Sequence, residues 1–273
     1  MPYLSIAQAA SPDAKLYYQE FGQGTPVIFT SAGLLTHKQW DEQVALLSTR
    51  HRTITYDWMG TGRSDRPNLG YDVELAVDSL CALLEQRAQA PTALVGHGIG
   101  CHISILAALK RPGLVSRLVL CSGAPWYKGN RDGAGGFSEE FMAFWRARMT
   151  LTTMPAAQAI ADLADEYLYN EPPHGALGAA VLAQALDWPM HVFKSYTESM
   201  ASIDLSERIG EIQCPTLVMH GRHDRKQRYA GGRYLADHIA KARLVTFEDS
   251  AHMIMFEELG RFSGELSDFL AQA

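Results

Sequence analysis

Short blocks of contiguous apolar residues alternate along the chain with longer stretches in which apolar residues recur every three or four positions. The blocks at 26–30, 52–57, 92–95, 118–121, 216–220 and 243–247 are β-branched or aliphatic and are bounded by Gly, Pro, Ser or Asp. Such runs predict buried strands. The segment 15–21 reads as a further extended piece. Helical spacing appears at 40–47, 71–89, 101–110 and 230–240, and again up to the C-terminus. Strand and helix taking turns in this way predict an α/β fold with a mostly parallel sheet and helices on both faces. The alternation breaks after Ser122. From 125 to 202 the pattern is helical with no clear strand, and it is rich in large apolar side chains such as Phe141, Trp145, Met149, Trp188, Phe193 and Tyr196. The expectation is a core formed by 1–124 and 203–273, interrupted by one helical cap at 125–202.

Composition narrows the class. A chain of 273 residues with 47% apolar and 20% charged positions can bury a sizeable single core. Dominant disorder is excluded on the same ground. Lys plus Arg number 24 against 30 Asp plus Glu, a net charge of −6. That balance argues against nucleic acid or an anionic membrane as the main partner. No apolar run approaches the roughly 18 residues of a membrane span, and residues 1–6 resemble no signal peptide. Cys81, Cys101, Cys121 and Cys214 form no C-x-x-C pair and sit among apolar neighbours. They read as reduced hydrophobes in a cytoplasmic protein. The partner expected is a small molecule, with a homo-oligomer left open.

Three segments carry chemistry. Gly96-His97-Gly98-Ile99-Gly100 lies between a strand and a helix, while Asp224 and His252 each follow a later strand. All three therefore fall at the carboxyl ends of strands, the ligand edge of a parallel sheet. A sharp turn, then an acid, then a histidine is the chain order of a hydrolase triad. With Asp57-Trp58-Met59-Gly60-Thr61-Gly62-Arg63-Ser64 and the run from Cys214 to Gly221, these segments make the whole chain resemble the α/β-hydrolase superfamily, its esterase and enol-lactonase branch in particular. The resemblance implies Asp224 and His252 as catalytic acid and base. It implies the backbone N–H groups of Gly33 and Ile99 as oxyanion donors, although Ser31-Ala32 stands where that family has His-Gly.

One departure outweighs the matches. The family's elbow is G-x-S-x-G, and position 98 is Gly. A glycine cannot attack or carry an acyl group. It does relieve the backbone strain of such an elbow, which costs of order 1–3 kcal/mol for other residues. The flanks 95–97 and 99–100 otherwise match the esterase elbow, which favours a serine site that has lost its serine. Two alternatives stand beside it. One is a natural serine-less enzyme in which His252 activates water or acts as a base in lyase or isomerase chemistry. The other is a non-enzymatic receptor, for which an Asp–His pair has no use.

Competing readings of single residues are weaker. A dinucleotide turn would need Gly at 101, where Cys101 stands. Asp249 is a second, lower-ranked partner for His252, and Asp224 also fits a helix N-cap. His37, His97 and His102 read as packing residues. His220 and His223 lack the spacing of a zinc site, so no metal and no cofactor is expected. Arg222, Arg225, Lys226 and Arg228 read as a solvated basic face. In the helical segment, Trp145 and Trp188 are the candidates for an apolar or aromatic substrate wall.

Overall fold

The structure, a computed structural model, describes residues 2–6, 13–68, 70–127, 136–150, 154–171 and 175–272, with no side chains at 149 and 150. Parts of the cap expected at 125–202, and the side chain of Met149 within it, thus lie outside the described residues.

A single eight-stranded sheet organises the chain. Its strands are β1 (Tyr3–Ser5), β2 (Lys15–Phe21), β3 (Pro26–Thr30), β4 (Arg52–Tyr56), β5 (Thr92–His97), β6 (Val115–Cys121), β7 (Thr216–Gly221) and β8 (Ala242–Phe247). They lie in the order β1-β2-β4-β3-β5-β6-β7-β8. From β4 to β8 every pairing is parallel; β2 alone runs the other way, antiparallel to both its neighbours β1 and β4 at one edge. The mostly parallel sheet matches the strand–helix alternation. The three-residue β1 escapes any periodicity argument because it is too short to show one.

The central strands are buried on both faces. Every residue of β3, β5 and β7 is inaccessible, which is why they read as continuous apolar runs rather than alternating ones. Around the sheet lie α1 (Asp41–Leu47), α2 (Val73–Leu83), α3 (Ile99–Lys110), then α4 (Glu139–Phe144), α5 (Ala156–Leu163), α6 (Gly175–Leu186) and α7 (Met190–Met200), and finally α8 (Tyr229–His238), α9 (Ile254–Glu257) and α10 (Leu259–Ala271). Asp72 caps α2, its carboxylate accepting from Leu75 N–H at 2.9 Å, and the helix buries Leu75, Leu80 and Leu83. Each such side chain contributes roughly 1.5–3 kcal/mol.

The helices α4–α7 between β6 and β7 are tied to loops at the strand ends. The Trp188 indole donates to Leu35 O at 2.9 Å, the Tyr196 hydroxyl donates to Met59 O at 3.0 Å, and Gln184 Oε1 accepts from Thr36 N–H at 3.2 Å. These bonds fix the helical segment over the edge where β3, β5 and β7 end.

Candidate active site

β5 ends at His97, and the chain reverses at once into α3. Gly98 makes the turn with φ 57° and ψ −117°, backbone space that a residue with a Cβ enters only under strain. Its N–H donates to Cys121 O at 2.9 Å, anchoring the turn to β6. The flanking glycines serve a different need. A Cβ on Gly96 would lie 2.5 Å from Gly100 O, and one on Gly100 would lie 2.6 Å from Thr30 O. Helix and strands approach too closely there for any side chain. The result is a sharp, closely packed strand-to-helix turn with no side chain at its apex.

His252 stands over that apex. A Cβ built on Gly98 would sit 3.2 Å from His252 Nε2. The other ring nitrogen, Nδ1, donates to Asp224 Oδ2 at 2.8 Å. Asp224 Oδ1 accepts the backbone N–H groups of Lys226 at 3.0 Å and Gln227 at 2.8 Å. The loop after β7 thus folds as a turn around its own carboxylate and presents the second oxygen to the histidine. Asp224 caps no helix, since α8 begins five residues later at Tyr229. Asp249 does not replace it: its carbonyl accepts from Asn170 Nδ2 at 3.0 Å, while Asp224 holds the ring.

The electrostatics follow from burial. Burial alone would raise the Asp224 pKa, but the charge of His252 and the hydrogen bonds from His220 and His252 outweigh it and hold the carboxyl well below its ordinary range. Burial lowers the His252 pKa, against the pull of Asp224. The imidazole is therefore neutral at pH 7, with Nδ1–H fixed on the carboxylate and the Nε2 lone pair turned to the elbow. That is the state of a general base.

Two further contacts set the position of His252. Its backbone N–H donates to Leu168 O at 3.0 Å, from the helical segment. Its carbonyl accepts His97 Nε2–H at 3.0 Å. His97 Nδ1 in turn accepts from Gln39 Nε2 at 2.7 Å, and Gln39 Oε1 accepts Ala32 N–H at 2.9 Å. One buried relay thereby joins the loop after β3, the elbow and the histidine loop. His97 is the packing residue expected, but it packs through hydrogen bonds, and Gln39 had no signal in the sequence.

The N–H of Ile99, the first residue of α3, has no intrahelical partner, and Gly33 N–H makes no backbone hydrogen bond among the described residues. Ile99 Cγ2 is 3.7 Å from the Cβ position of Gly33, so the two face one another beside the elbow. In this loop Ala32 N–H is held by Gln39, and the Ser31 hydroxyl donates to Leu35 O at 3.3 Å.

Two cavities adjoin these residues. The larger, of about 160 Å³, is bordered by His252, Gly33 and apolar residues including Leu35, Ile160, Leu163, Val181 and Met253. The smaller, of about 30 Å³, is bordered by Gly33, Ile99, Tyr127, Phe137, Trp145 and Phe193 among others. Trp145 thus faces this space. Trp188 borders neither cavity; it packs on Trp58 with ring centroids 5.4 Å apart and on Phe193 at 5.9 Å.

The basic run divides. Arg222 pairs with Glu248 at 2.9 Å, and Arg225 donates to Tyr169 O at 2.6 Å. Lys226 leaves the surface that the sequence pattern assigned to it. It borders both cavities, and its Nζ lies 3.4 Å from His252 Nε2.

Among the described residues no group of His, Cys, Asp or Glu has the geometry of a metal site, and no helix is long and apolar enough to cross a membrane. His220 donates through Nε2 to Gln227 O at 2.9 Å. His37 contacts Asp57 at 2.8 Å, while Asp57 Oδ2 accepts Arg63 N–H at 2.9 Å. The Asp57–Ser64 motif therefore builds the loop after β4.

The chain belongs to the alpha/beta hydrolase fold family, whose model matches residues 25–259. It is 26% identical over 265 residues to the AB hydrolase superfamily protein YisY of Bacillus subtilis, covering 93% of this chain and 94% of that one. Among solved structures it resembles an esterase from Exiguobacterium antarcticum, with a TM-score of 0.88 at 22% identity over 99% of both chains. The enol-lactonase of Burkholderia xenovorans LB400 superposes with a TM-score of 0.84 at 23% identity, over 99% of this chain and 100% of that one.

Proposed function

We propose that this site is that of a carboxylic ester or lactone hydrolase for a small apolar or aromatic substrate, with Gly98 at the nucleophile position. One observation carries the reading. The Cβ position of Gly98 lies 3.2 Å from the unprotonated nitrogen of a histidine whose other nitrogen is held by a buried carboxylate. A hydroxyl at that apex would be within reach of its base, and Gly33 and Ile99 N–H groups would receive the oxyanion. A cavity of about 160 Å³ matches the roughly 150 Å³ that accepts a benzene ring elsewhere, and its walls are apolar. In the chain as it stands acyl transfer to a serine is unavailable, and phenyl acetate is expected to bind without rapid turnover.

The test is Gly98→Ser, assayed on phenyl acetate and short-chain esters and probed with a fluorophosphonate. Turnover and labelling should appear together, and His252→Ala in the same background should remove both, because an unactivated serine is a poor nucleophile at neutral pH. A folded Gly98→Ser protein that neither turns over nor labels overturns the reading. Rapid hydrolysis by the unaltered chain, abolished by His252→Ala, would favour direct activation of water instead.

A further inference from the structure

The basic side chain at the centre of the site has no part in that reading. Lys226 is partly buried and reaches inward from the loop that carries Asp224. With Gly33 it is common to the borders of both cavities. Its Nζ donates to His252 Nε2 at 3.4 Å, the nitrogen that would serve a hydroxyl at position 98.

A buried ammonium ordinarily has an ionic partner. Lys226 makes no ion pair within 4.0 Å among the described residues. Asp224 lies on the same loop, but its oxygens are taken by the backbone N–H groups of Lys226 and Gln227 and by the rings of His252 and His220. Asp165 borders the larger cavity and is itself exposed. The groups facing the amine are thus a neutral imidazole, a carboxylate already satisfied and a solvated acid. Burial accordingly brings the Lys226 pKa down to about 8, against the opposing pull of Asp224. The other polar side chains on the smaller cavity offer no rival: the Thr197 hydroxyl donates to Phe193 O at 2.8 Å, and burial pushes the Tyr127 pKa well up.

We propose that Lys226 is an imine-forming residue: its amine, set on the border of both cavities and beside His252, captures an apolar aldehyde or ketone. The proposal shares the pocket with the ester reading but not its nucleophile. The chemistry balances without any further reactant. His252 Nε2 takes a proton from the ammonium, and the amine lone pair attacks the carbonyl carbon. A C–N bond forms while the C=O π pair moves to oxygen, beside the Gly33 and Ile99 N–H groups. The new nitrogen loses a proton and the oxygen gains one, giving a carbinolamine. His252 returns its proton to that oxygen, and departure of the oxygen as water leaves the protonated imine. Water reverses every step. Glycine at 98 fits this use as well, since a hydroxyl there would compete with the amine for Nε2.

The experiment is reductive trapping. The unaltered protein is incubated with benzaldehyde, and separately with acetophenone, in the presence of cyanoborohydride between pH 6 and 10. Intact mass and peptide mapping then follow the adduct. The expected result is one adduct per chain on Lys226, formed at least tenfold faster than on any other lysine, with a rate that rises through a midpoint near pH 8. Lys226→Met should lose this fast adduct and keep the slow surface labelling. Adducts spread over the lysines with Lys226 not ahead, or fast labelling that survives in Lys226→Met, overturn the proposal. Site mapping on the unaltered chain decides the matter even if the variant does not fold. No ester and no serine takes part, so failure here leaves the ester reading where the Gly98→Ser assay puts it, and the reverse holds too.

Discussion

At Gly98 the backbone and the side chain ask for different things. The turn needs φ 57°, which glycine adopts freely, and the chemistry of an ester hydrolase needs a hydroxyl. Gly98→Ser should therefore gain activity and lose stability, by about 1–3 kcal/mol from strain, with the 3.2 Å contact to the His252 ring adding to the cost. Urea denaturation of the two proteins measures this; a serine variant as stable as the parent would show that the elbow is relaxed for any residue. Gln39 offers a second test. It holds Ala32 N–H with its oxygen and His97 Nδ1 with its nitrogen. Gln39→Leu leaves both buried groups unpaired, which costs roughly 1–3 kcal/mol for each group. The fall in the urea midpoint should be accompanied by weaker binding of phenyl acetate, because the loop that carries Gly33 loses its anchor. An unchanged midpoint would mean that the relay bears no strain of the site.

At the scale of elements, the helices α4–α7 do two separable jobs, and their tryptophans divide between them. Trp145 faces the smaller cavity, whereas Trp188 joins the helices to the loop after β3 through its indole N–H. Trp188→Phe keeps much of the ring packing and deletes that bond. It should lower stability by about 0.5–1.5 kcal/mol with little change in phenyl acetate affinity by calorimetry. Trp145→Ala should weaken the ligand as well. If the two variants exchange these phenotypes, the substrate wall lies on the Trp188 side.

For the whole molecule, buried histidines set the response to acid. Burial lowers the pKa of His97 and His252, and brings His102 down to about 3. An unfolded histidine titrates near 6.5. As the pH falls below that value the unfolded chain takes up protons that the folded chain refuses, so stability is full above about 6.5 and declines below it. Each such group contributes a slope of about 1.4 kcal/mol per pH unit. Asp224 acts in the same direction at lower pH: its folded pKa is depressed, so its contribution is present above the ordinary carboxylate range and is lost beneath it. Urea midpoints should therefore drop steeply between pH 6.5 and 5. A midpoint that stays level over that interval would contradict the burial of these rings as neutral groups.

The sequence by itself determined the strands from β2 to β8, the sharp turn at Gly98 and the placement of Asp224 and His252 just past parallel strands. Each of these is local: a run of apolar residues is a buried strand wherever it occurs, and a residue just past a parallel strand sits at the ligand edge. The mostly parallel α/β sheet followed from such local patterns in series, and the α/β-hydrolase fold from the resemblance that its motifs carry. Tertiary structure decided what depends on contacts between distant segments. Lys226 and Arg225 are neighbours in one basic run, yet one reaches into the cavities and the other meets Tyr169 on the helical segment. Periodicity does not separate them, because Arg225 meets a residue 56 positions away and Lys226 one 26 positions away, on other loops. Gln39 and His97 show the same limit, as does the contrast between Trp145 and Trp188. Composition marks a polar or aromatic residue as a candidate, but only packing assigns it a partner, since a buried polar group must find its hydrogen bond in whatever the fold has brought beside it.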